Sequence, residues 1–376
     1  MGLYIHVPFC ISRCEYCAFA TWSDRFDSMD RYLEALAIEL SEAGSGLVFG
    51  TVFFGGGTPS LLSLEALSKI MAMISLSPGA EVTIEANPES LADEPADYLK
   101  LGINRVSVGV QSLSDTELKR LGRDHRSSTA RAALGRLSNS GLSYSVDLMY
   151  GAVGEDFGSI EGSIAQIMEV ECPPDHISIY GLTVEGGTRL AAKKEMHPDD
   201  DDLAWKYLVI CEILDGFGFV DYEVSNFARA GHYSKHNWSY WMQGRYLGVG
   251  PSAHSFIGDE RSWNIRDSLR WIASISNKKS AKAGSERLDV ETAKFEGLGL
   301  LLRTVLGIPS QTFEMENVPE DLYSLTEDRR LVLTPKGRLL HNQLVGFIDT
   351  SKITIEELNE FQGRRLEDIL SFSSSR

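Results

Sequence analysis

The 376-residue sequence predicts an α/β fold, with a partial (β/α)6 barrel followed by a smaller C-terminal winged-helix-like α+β module. Two observations predict the barrel. Six short apolar runs alternate with segments of helical periodicity, which is the pattern of successive βαβ units in a parallel sheet. Polar and glycine-rich residues follow directly after these runs, and in barrels of this kind the functional residues occupy the carboxyl ends of the strands.

The elements can be placed from the apolar pattern. The predicted strands are residues 3–7, 51–54, 81–85, 106–110, 144–149 and 176–180. The predicted helices include residues 29–40, 64–74, 93–101, 128–137 and 203–214. The acidic run at residues 199–202 precedes the last of these helices. A charge cluster at the helix N-terminus, where negative charge is favourable, explains the run better than a metal site does.

The pattern changes past residue 280. A helix is expected at residues 292–302, and the strand before Thr334-Pro335 followed by a helical segment at 339–348 indicates the winged module. The polar stretch at 278–284 is the predicted linker. The predicted domains are a barrel of residues 1–225, a middle segment of residues 226–284, and a C-terminal module of residues 285–376.

Composition and charge narrow the class of protein. The chain is 43% hydrophobic and 24% charged, as in an ordinary globular protein, with a formal net charge of −17. This acidic balance argues against a nucleic-acid partner, since phosphate binding depends on clusters of Lys and Arg. No apolar run is long enough to span a membrane, and the first predicted strand begins without an apolar leader.

The cysteines indicate a reducing compartment. There are five, an odd number, and three of them crowd into one loop, so a disulfide framework does not explain them. Together with the lack of a leader, this predicts a cytoplasmic protein.

Cys10, Cys14 and Cys17 follow the first predicted strand with the spacing Cys-x3-Cys-x2-Cys. Thiolates are soft ligands that select zinc or iron–sulfur centres, and short spacers let them surround one core. A structural zinc site would need a fourth donor, from Cys172, Cys211 or a distant histidine. An iron–sulfur cluster held by three thiolates would instead leave one iron open to a ligand, which is the favoured interpretation.

Other candidate residues follow the next strands. The triple glycine at residues 55–57 offers backbone that a ligand can approach closely, although a tight turn would also explain it. Glu85 and Asp147 are acceptors suited to ribose hydroxyls or an ammonium group, and Arg123 could bind a carboxylate through two donors. Each of these three could equally belong to a surface pair.

The cysteine spacing resembles the signature of the radical SAM superfamily, whose open cluster iron binds S-adenosylmethionine. Longer strings narrow the resemblance. They are Tyr4-Ile-His-Val-Pro-Phe-Cys10, Phe54-Gly-Gly-Gly-Thr-Pro59, Asn104-Arg-Val-Ser-Val-Gly-Val-Gln-Ser112, Leu121-Gly-Arg-Asp-His125, Asp147-Leu-Met-Tyr-Gly151 and Tyr222-Glu-Val-Ser-Asn-Phe227. Together these strings are similar to the oxygen-independent coproporphyrinogen III oxidase family over nearly the whole chain. The resemblance therefore implies a radical SAM barrel.

The resemblance also implies cofactors and their contacts. Cys10, Cys14 and Cys17 match the ligands of a 4Fe-4S cluster. The residues that match the family's S-adenosylmethionine contacts are Tyr4, Gly56, Gly57, Thr58, Glu85, Gln111, Arg123 and Asp147. Tyr16 would lie against the adenine. An electron donor such as flavodoxin or ferredoxin is an implied partner.

The sequence departs from the true oxidases in several places. Phe19 stands where they have a fourth cysteine, their N-terminal extension is absent, and Ala-Val-Gly-Glu at 152–155 replaces the usual Leu-Pro-Gly-Gln. These differences favour the sister branch, the HemW-type heme chaperones, whose mark is His-Asn-x-x-Tyr-Trp. That motif stands here as His236-Asn237-Trp238-Ser239-Tyr240-Trp241.

A histidine beside aromatic rings suits heme, because it supplies an imidazole for iron and flat apolar faces for the macrocycle. The resemblance thus makes His236, Asn237, Tyr240 and Trp241 candidate heme contacts. The alternative is that the aromatic rings pack at a domain junction and His236 is an internally bonded polar group.

Three functions follow as hypotheses. The first is a heme chaperone that hands heme to an acceptor protein, and the second is an oxidase that decarboxylates coproporphyrinogen in porphyrin biosynthesis. The third is a radical SAM enzyme on another substrate. The chaperone is favoured, with no catalytic residue assigned. Cleavage of S-adenosylmethionine is expected, whereas Phe19 argues against coproporphyrinogen dehydrogenase activity.

Overall fold

The structure is a computed structural model that describes residues 1–194 and 197–363. It divides into two compact units. Unit 1 comprises residues 1–206 and 245–286, and unit 2 comprises residues 207–244 and those from 287 onwards. The middle segment expected at 226–284 is therefore shared between the two units. Residues 364–376, the end of the expected C-terminal module, lie outside the described residues.

Unit 1 is built on a run of parallel strands that neighbour each other in chain order. These strands are β1 (Gly2–Val7), β2 (Phe49–Gly56), β3 (Leu76–Ala86), β4 (Arg105–Gln111), β5 (Ser143–Tyr150) and β6 (His176–Gly181). Each pairs in parallel with the next. All seven residues of β4 are buried, as expected for a strand covered on both faces. The predicted partial barrel is confirmed.

Helices connect these strands. They are α1 (Met29–Ala43), α2 (Leu64–Met71), α3 (Asp97–Lys100), α4 (Asp115–Arg120), α5 (Ser127–Ser138) and α6 (Phe157–Met168), followed by α7 (Asp200–Gly216). Helix α3 is shorter than the predicted 93–101, because Pro95 disfavours helical backbone at the residue before it. No helix within residues 1–194 and 197–363 is long and apolar enough to cross a membrane.

A second set of strands extends the sheet beyond β1 and was not predicted from the sequence. These are β9 (Tyr246–Val249), β10 (His254–Ile257), β11 (Glu260–Asn264) and β12 (Lys282–Arg287), with α9 (Ser268–Ser276) between the last two. Strand β9 runs parallel to β1, and β10 and β11 form an antiparallel hairpin. As a result β1, which leads into the cysteine loop, lies inside the sheet and not at its edge.

Unit 2 combines helices with short antiparallel strands. Its elements include β7 (Val220–Asp221), β8 (Asn226–Ala228), α8 (Lys235–Trp241), α10 (Val290–Leu302), β13 (Ile308–Pro309), β14 (Tyr323–Leu325), β15 (Arg330–Leu333), α11 (Pro335–Leu339), α12 (His341–Leu344) and α13 (Ile355–Gln362). The strands β13, β15 and β14 form a separate antiparallel sheet in that order. Leu298, Leu301 and Leu302 of α10 pack against it in one apolar core. The expected α+β module is confirmed, although the helix predicted at 339–348 is shortened to α12 and a 3-10 turn at Val345–Phe347.

Candidate functional site

The loop after β1 carries the three clustered cysteines and closes on itself. The backbone N–H of Cys10 donates to the carbonyl oxygen of Trp22 at 3.2 Å, and the N–H of Trp22 donates to that of Pro8 at 2.8 Å. Inside the loop, the N–H of Cys17 donates to the carbonyl oxygen of Cys14 at 3.2 Å. All three cysteines are free and partly buried. One short, closed segment therefore presents three sulfur donors.

The three sulfurs come from one short segment, and short spacers let thiolates surround one polynuclear core. Within the described part of the chain, no group of three or more His, Cys, Asp or Glu side chains converges on one metal-ion position. In an iron–sulfur cluster each thiolate binds a different iron, so the sulfurs need not meet at one point.

Two side chains point hydrogen-bond donors at cysteine sulfurs. The Thr58 hydroxyl lies 3.7 Å from Cys10 Sγ, and Arg123 Nη1 lies 3.3 Å from Cys14 Sγ. Burial raises the pKa of the Cys10 thiol, and the hydrogen bond from Thr58 opposes that rise. Donors of this kind stabilise thiolates that bind metal.

The glycines at the end of β2 let it lie against the cysteine loop. The N–H groups of Gly57 and Thr58 donate to the carbonyl oxygens of Val7 and Phe9, both at 2.8 Å. A Cβ at Gly57 would be 2.5 Å from the Phe9 oxygen. Gly56 has φ +111°, a backbone conformation that residues with a side chain rarely adopt. Glycine is therefore required here by the close approach of two backbone segments.

Glu85 and Asp147 lie in the carboxyl-terminal halves of β3 and β5. Glu85 accepts a hydrogen bond from the Gly56 N–H at 3.1 Å, and both oxygens of Asp147 lie 3.1 Å from the Ser107 hydroxyl. Burial, with the negative charge of Asp147, raises the pKa of Glu85 to about 8. Burial also raises the pKa of Asp147 to about 6, opposed by hydrogen bonds from Ser178 and Ser107. Two carboxyl groups with raised pKa values, both in the carboxyl-terminal halves of barrel strands, are typical of a ligand site.

Arg123 is held in place by three acceptors. Besides Cys14 Sγ, it donates from Nη2 to Asn87 Oδ1 at 2.6 Å and to the Gly109 carbonyl oxygen at 3.1 Å. Near it, Gln111 ends β4 with φ +63°, a conformation that is uncommon for residues other than glycine and is often found at functional sites.

Tyr4 lies in β1, before the cysteine loop, and Tyr16 lies within the loop, between Cys14 and Cys17. Burial lowers the pKa of His6 to about 4, so its ring is neutral at pH 7. Its Nε2 then donates to the Ala20 carbonyl oxygen at 2.9 Å, and its Nδ1 accepts from the Tyr4 hydroxyl at 3.1 Å. Tyr16 packs against an apolar cluster that includes Leu121, and its burial raises the pKa of its hydroxyl.

Unit 1 thus brings most of the predicted cluster and S-adenosylmethionine residues to the carboxyl ends of β1 to β5. The sequence assigned no role to His6 or Asn87, each of which links parts of this site through two side-chain hydrogen bonds. The available signal for Asn87 was its place directly after β3, where functional side chains are expected.

The predicted heme motif lies in unit 2 and forms helix α8. The Ser234 hydroxyl caps this helix by accepting a hydrogen bond from the Asn237 N–H at 3.3 Å. The Arg303 guanidinium lies 3.9 Å from the centre of the Trp241 ring and makes two hydrogen bonds to Glu223, at 3.0 and 2.7 Å. Glu223 belongs to the motif string Tyr222–Phe227 and Trp241 to the motif string His236–Trp241. Arg303 therefore contacts both motif segments.

His236 is 1% exposed, and its Nε2 lies 2.9 Å from the Tyr240 hydroxyl. As the structure stands, this nitrogen does not fit a heme iron, which could bind it only after the bond to Tyr240 breaks. Trp238 packs against Tyr222 with ring centres 6.4 Å apart. At least these motif residues therefore contribute to the packing of unit 2.

Comparisons with known proteins identify the relatives of this chain. The family model described as the Radical SAM superfamily matches residues 4–167. The chain is 37% identical to the heme chaperone HemW of Mycobacterium tuberculosis, covering 92% of this chain and 93% of that protein. It is 33% identical to the heme chaperone HemW of Bacillus subtilis over 91% of this chain and 97% of that protein.

A mitochondrial protein named radical S-adenosyl methionine domain-containing protein 1, from Bos taurus, is 40% identical over 90% of this chain and 81% of its own length. Among solved structures, the coproporphyrinogen III oxidase HemN of Escherichia coli matches with a TM-score of 0.78 at 20% identity, covering 93% of this chain and 90% of that one. At this identity the match shows a shared fold. The sequence relationships to the chaperones go further, and the chain belongs to the HemW heme chaperone family of the radical SAM superfamily.

Proposed function

We propose that this protein binds heme and transfers it to an acceptor protein, and that it carries a 4Fe-4S cluster with exchangeable S-adenosylmethionine. The observation that carries the proposal is the identity of 37% to a heme chaperone over nearly the full length of both chains. The free thiols of all five cysteines, each within the described residues, are consistent with a reducing compartment such as the cytoplasm.

Cys10, Cys14 and Cys17 would hold the cluster. They supply three soft donors from one closed loop, and Arg123 and Thr58 donate to two of the sulfurs. When bound, the cluster supplies an open iron for S-adenosylmethionine and an electron for its cleavage, drawn from a donor such as flavodoxin or ferredoxin.

The residues around Gly56 would hold S-adenosylmethionine. Glu85 and Asp147 supply carboxyl groups suited to an ammonium group and to ribose hydroxyls. A cationic ligand group near Glu85 would favour its ionised form and so offset the effect of burial on its pKa. Tyr4, Gly57, Thr58, Gln111 and the adenine-side Tyr16 complete the proposed contacts.

The motif in helix α8 would bind heme, with His236 as the proposed iron ligand and Asn237, Tyr240 and Trp241 beside it. For His236 Nε2 to bind iron, the Tyr240 hydroxyl must move away from it. We therefore expect heme binding to rearrange the side chains of α8.

Decarboxylation of coproporphyrinogen is the alternative function. The true oxidases of the family that this chain resembles have a cysteine at the position of Phe19. Phe19 is 66% exposed and has no sulfur to offer there. The chaperone is therefore favoured over the oxidase.

The function can be tested by a transfer assay. The protein is reconstituted anaerobically with iron and sulfide, loaded with hemin, separated from free hemin and mixed with an apo-form b-type hemoprotein as the probe acceptor. The proposal expects the Soret band of the acceptor to appear faster than with free hemin at the same concentration. Heme that stays on the protein, together with conversion of coproporphyrinogen in a parallel assay, would favour the oxidase instead.

A further inference from the structure

Asn87 lies between the two side chains that donate to cysteine sulfurs. Its Nδ2 donates to Thr58 Oγ1 at 3.2 Å, and its Oδ1 accepts from Arg123 Nη2 at 2.6 Å. Beyond these, Thr58 Oγ1 is 3.7 Å from Cys10 Sγ and Arg123 Nη1 is 3.3 Å from Cys14 Sγ. A continuous chain of hydrogen bonds therefore runs from one cysteine sulfur to another through Asn87.

The chemistry of the side chains fixes the direction of this chain. A guanidinium group only donates, so the amide oxygen of Asn87 must face Arg123 and its amide nitrogen must face Thr58. The Thr58 hydroxyl accepts from Asn87 and therefore keeps its single hydrogen for Cys10. Arg123 thus polarises both arms, directly toward Cys14 and through Asn87 toward Cys10, and bonds in such a chain strengthen one another.

We propose that Asn87 is a positioning residue that sets the hydrogen bonding to the cluster thiolates and thereby the reduction potential of the cluster. The inference rests on the cluster of the proposed function. Hydrogen bonds to the sulfurs are among the factors that set iron–sulfur potentials, because they stabilise the more negative, reduced state. Loss of the Asn87 amide removes the link that orients both donors.

The Asn87 side chain can be removed without removing the turn it begins. The carbonyl oxygen of Asn87 accepts from the N–H groups of Ser90 and Leu91, each at 3.0 Å, and its own N–H donates to the Ser90 hydroxyl at 3.2 Å. These bonds use only the backbone of residue 87. Asn87→Ala is therefore expected to fold.

The test is a potentiometric titration of the reconstituted cluster in the absence of S-adenosylmethionine. The oxidation state of the cluster is monitored by electron paramagnetic resonance. Asn87→Ala is expected to lower the midpoint potential relative to wild type. Asn104→Ala is the matched control, since Asn104 also makes two side-chain hydrogen bonds, to the N–H of Val82 at 2.9 Å and the carbonyl oxygen of Ala80 at 2.8 Å, at the start of β4. Equal potentials for wild type and Asn87→Ala would overturn the proposal.

A second pair of variants tests the network if Asn87→Ala does not assemble a cluster. Thr58→Val removes the hydroxyl at nearly constant volume, whereas Thr58→Ser keeps it. A lower potential in Thr58→Val that is restored in Thr58→Ser supports the network, and equal potentials in the two variants overturn it.

The cluster-free protein separates this inference from the proposed function. In a double-mutant cycle of Asn87→Ala and Thr58→Val, the two losses in Tm should fail to add, because the residues share one hydrogen bond. Additive losses would overturn the network, whatever the cluster does. A wild-type protein that assembles no cluster while showing this coupling would instead contradict the proposed function and, with it, the assigned role of Asn87 in setting a potential.

Discussion

The Nε2 atom of His236 and the hydroxyl oxygen of Tyr240 lie 2.9 Å apart, with the two rings edge to face at 4.9 Å between centres. The residues are four apart on helix α8, which is the spacing that brings side chains together on one helix face. A metal ion bound to His236 Nε2 and a hydrogen bond to the same atom exclude each other. If His236 is the iron ligand, as proposed, heme binding therefore requires a change within α8.

Substitutions of His236 and Tyr240 should change heme affinity in opposite directions. His236→Ala should lower heme affinity by about tenfold or more and shift the Soret band, because the axial ligand sets the electronic state of the iron. Tyr240→Phe should raise affinity, because it frees Nε2. Hemin titrations of both variants and of His232→Ala, an exposed histidine, check this. Indistinguishable spectra for wild type and His236→Ala would rule out His236 and leave His232 or His254 as candidates.

The cluster should depend on three cysteines only. Cys14→Ser is expected to abolish it, whereas Cys172→Ser and Cys211→Ser should leave iron content and visible absorption intact. Cys172 is exposed and Cys211 is buried in α7. Iron and sulfide analysis after anaerobic reconstitution provides the measurement. Loss of the cluster from either of the last two variants would mean that the ligand set is wrong.

Binding of S-adenosylmethionine should require the carboxyl groups of Glu85 and Asp147. Glu85→Ala and Asp147→Ala are each expected to weaken it about tenfold or more, since hydrogen bonds to charged groups contribute about 1.5–3 kcal/mol. Calorimetric titration of the reconstituted protein is the measurement. Glu169→Ala, at an exposed position after α6, is the control. Wild-type affinity in both site variants would show that these carboxyl groups do not contact the ligand.

The stability of the ligand-free protein should depend on pH through Glu85. Burial raises the pKa of this carboxyl group to about 8, against a usual value of 4.5. The folded state therefore holds a proton that the unfolded state loses between these values, and the contribution of Glu85 to stability falls as pH rises from about 4.5 to 8. Glu85→Gln should raise Tm relative to wild type, and by more at pH 8 than at pH 5. A difference that does not change with pH would contradict the raised pKa.

Arg303 should be essential to the stability of unit 2. Glu223 is fully buried and takes two hydrogen bonds from Arg303, whose side chain is 24% exposed. Arg303→Ala should lower the free energy of unfolding by about 3–5 kcal/mol, because it leaves a buried carboxylate without its cation and also removes the contact with Trp241. Urea unfolding measures the loss. Adding Glu223→Gln should recover part of it, and a double variant as unstable as the sum of the singles would argue against the pair.

The main strands were predictable because their signal is local. Strands β1 to β6 contain apolar runs bounded by turn residues, and this signal does not depend on distant parts of the chain. The signal is short in β9, which is four residues long, and absent from β10 and β11, whose side chains are exposed or only partly buried. The addition of these strands to the sheet next to β1 is therefore decided by tertiary contacts.

The candidate site was predictable where position alone carries information. The carboxyl ends of the strands and the cysteine spacing indicated Cys10, Glu85 and Asp147. The roles of His6 and Asn87 could not be predicted, because they depend on partners far away in the chain, such as Arg123, 36 residues after Asn87. The packing of the α8 motif within unit 2 likewise depends on Arg303, 62 residues after Trp241, and no local pattern indicates that contact.

The protein is proposed to carry both heme and a cluster on one chain, and each is expected to bind without the other. Hemin titration of the anaerobically reconstituted protein, followed at the Soret band and by iron and sulfide analysis of the product, tests this most directly. Saturable binding of one heme per chain by wild type and also by Cys14→Ser, with the cluster retained in wild type and in His236→Ala, is the predicted result. Failure of wild type to bind heme saturably, or loss of the cluster as heme binds, would contradict it.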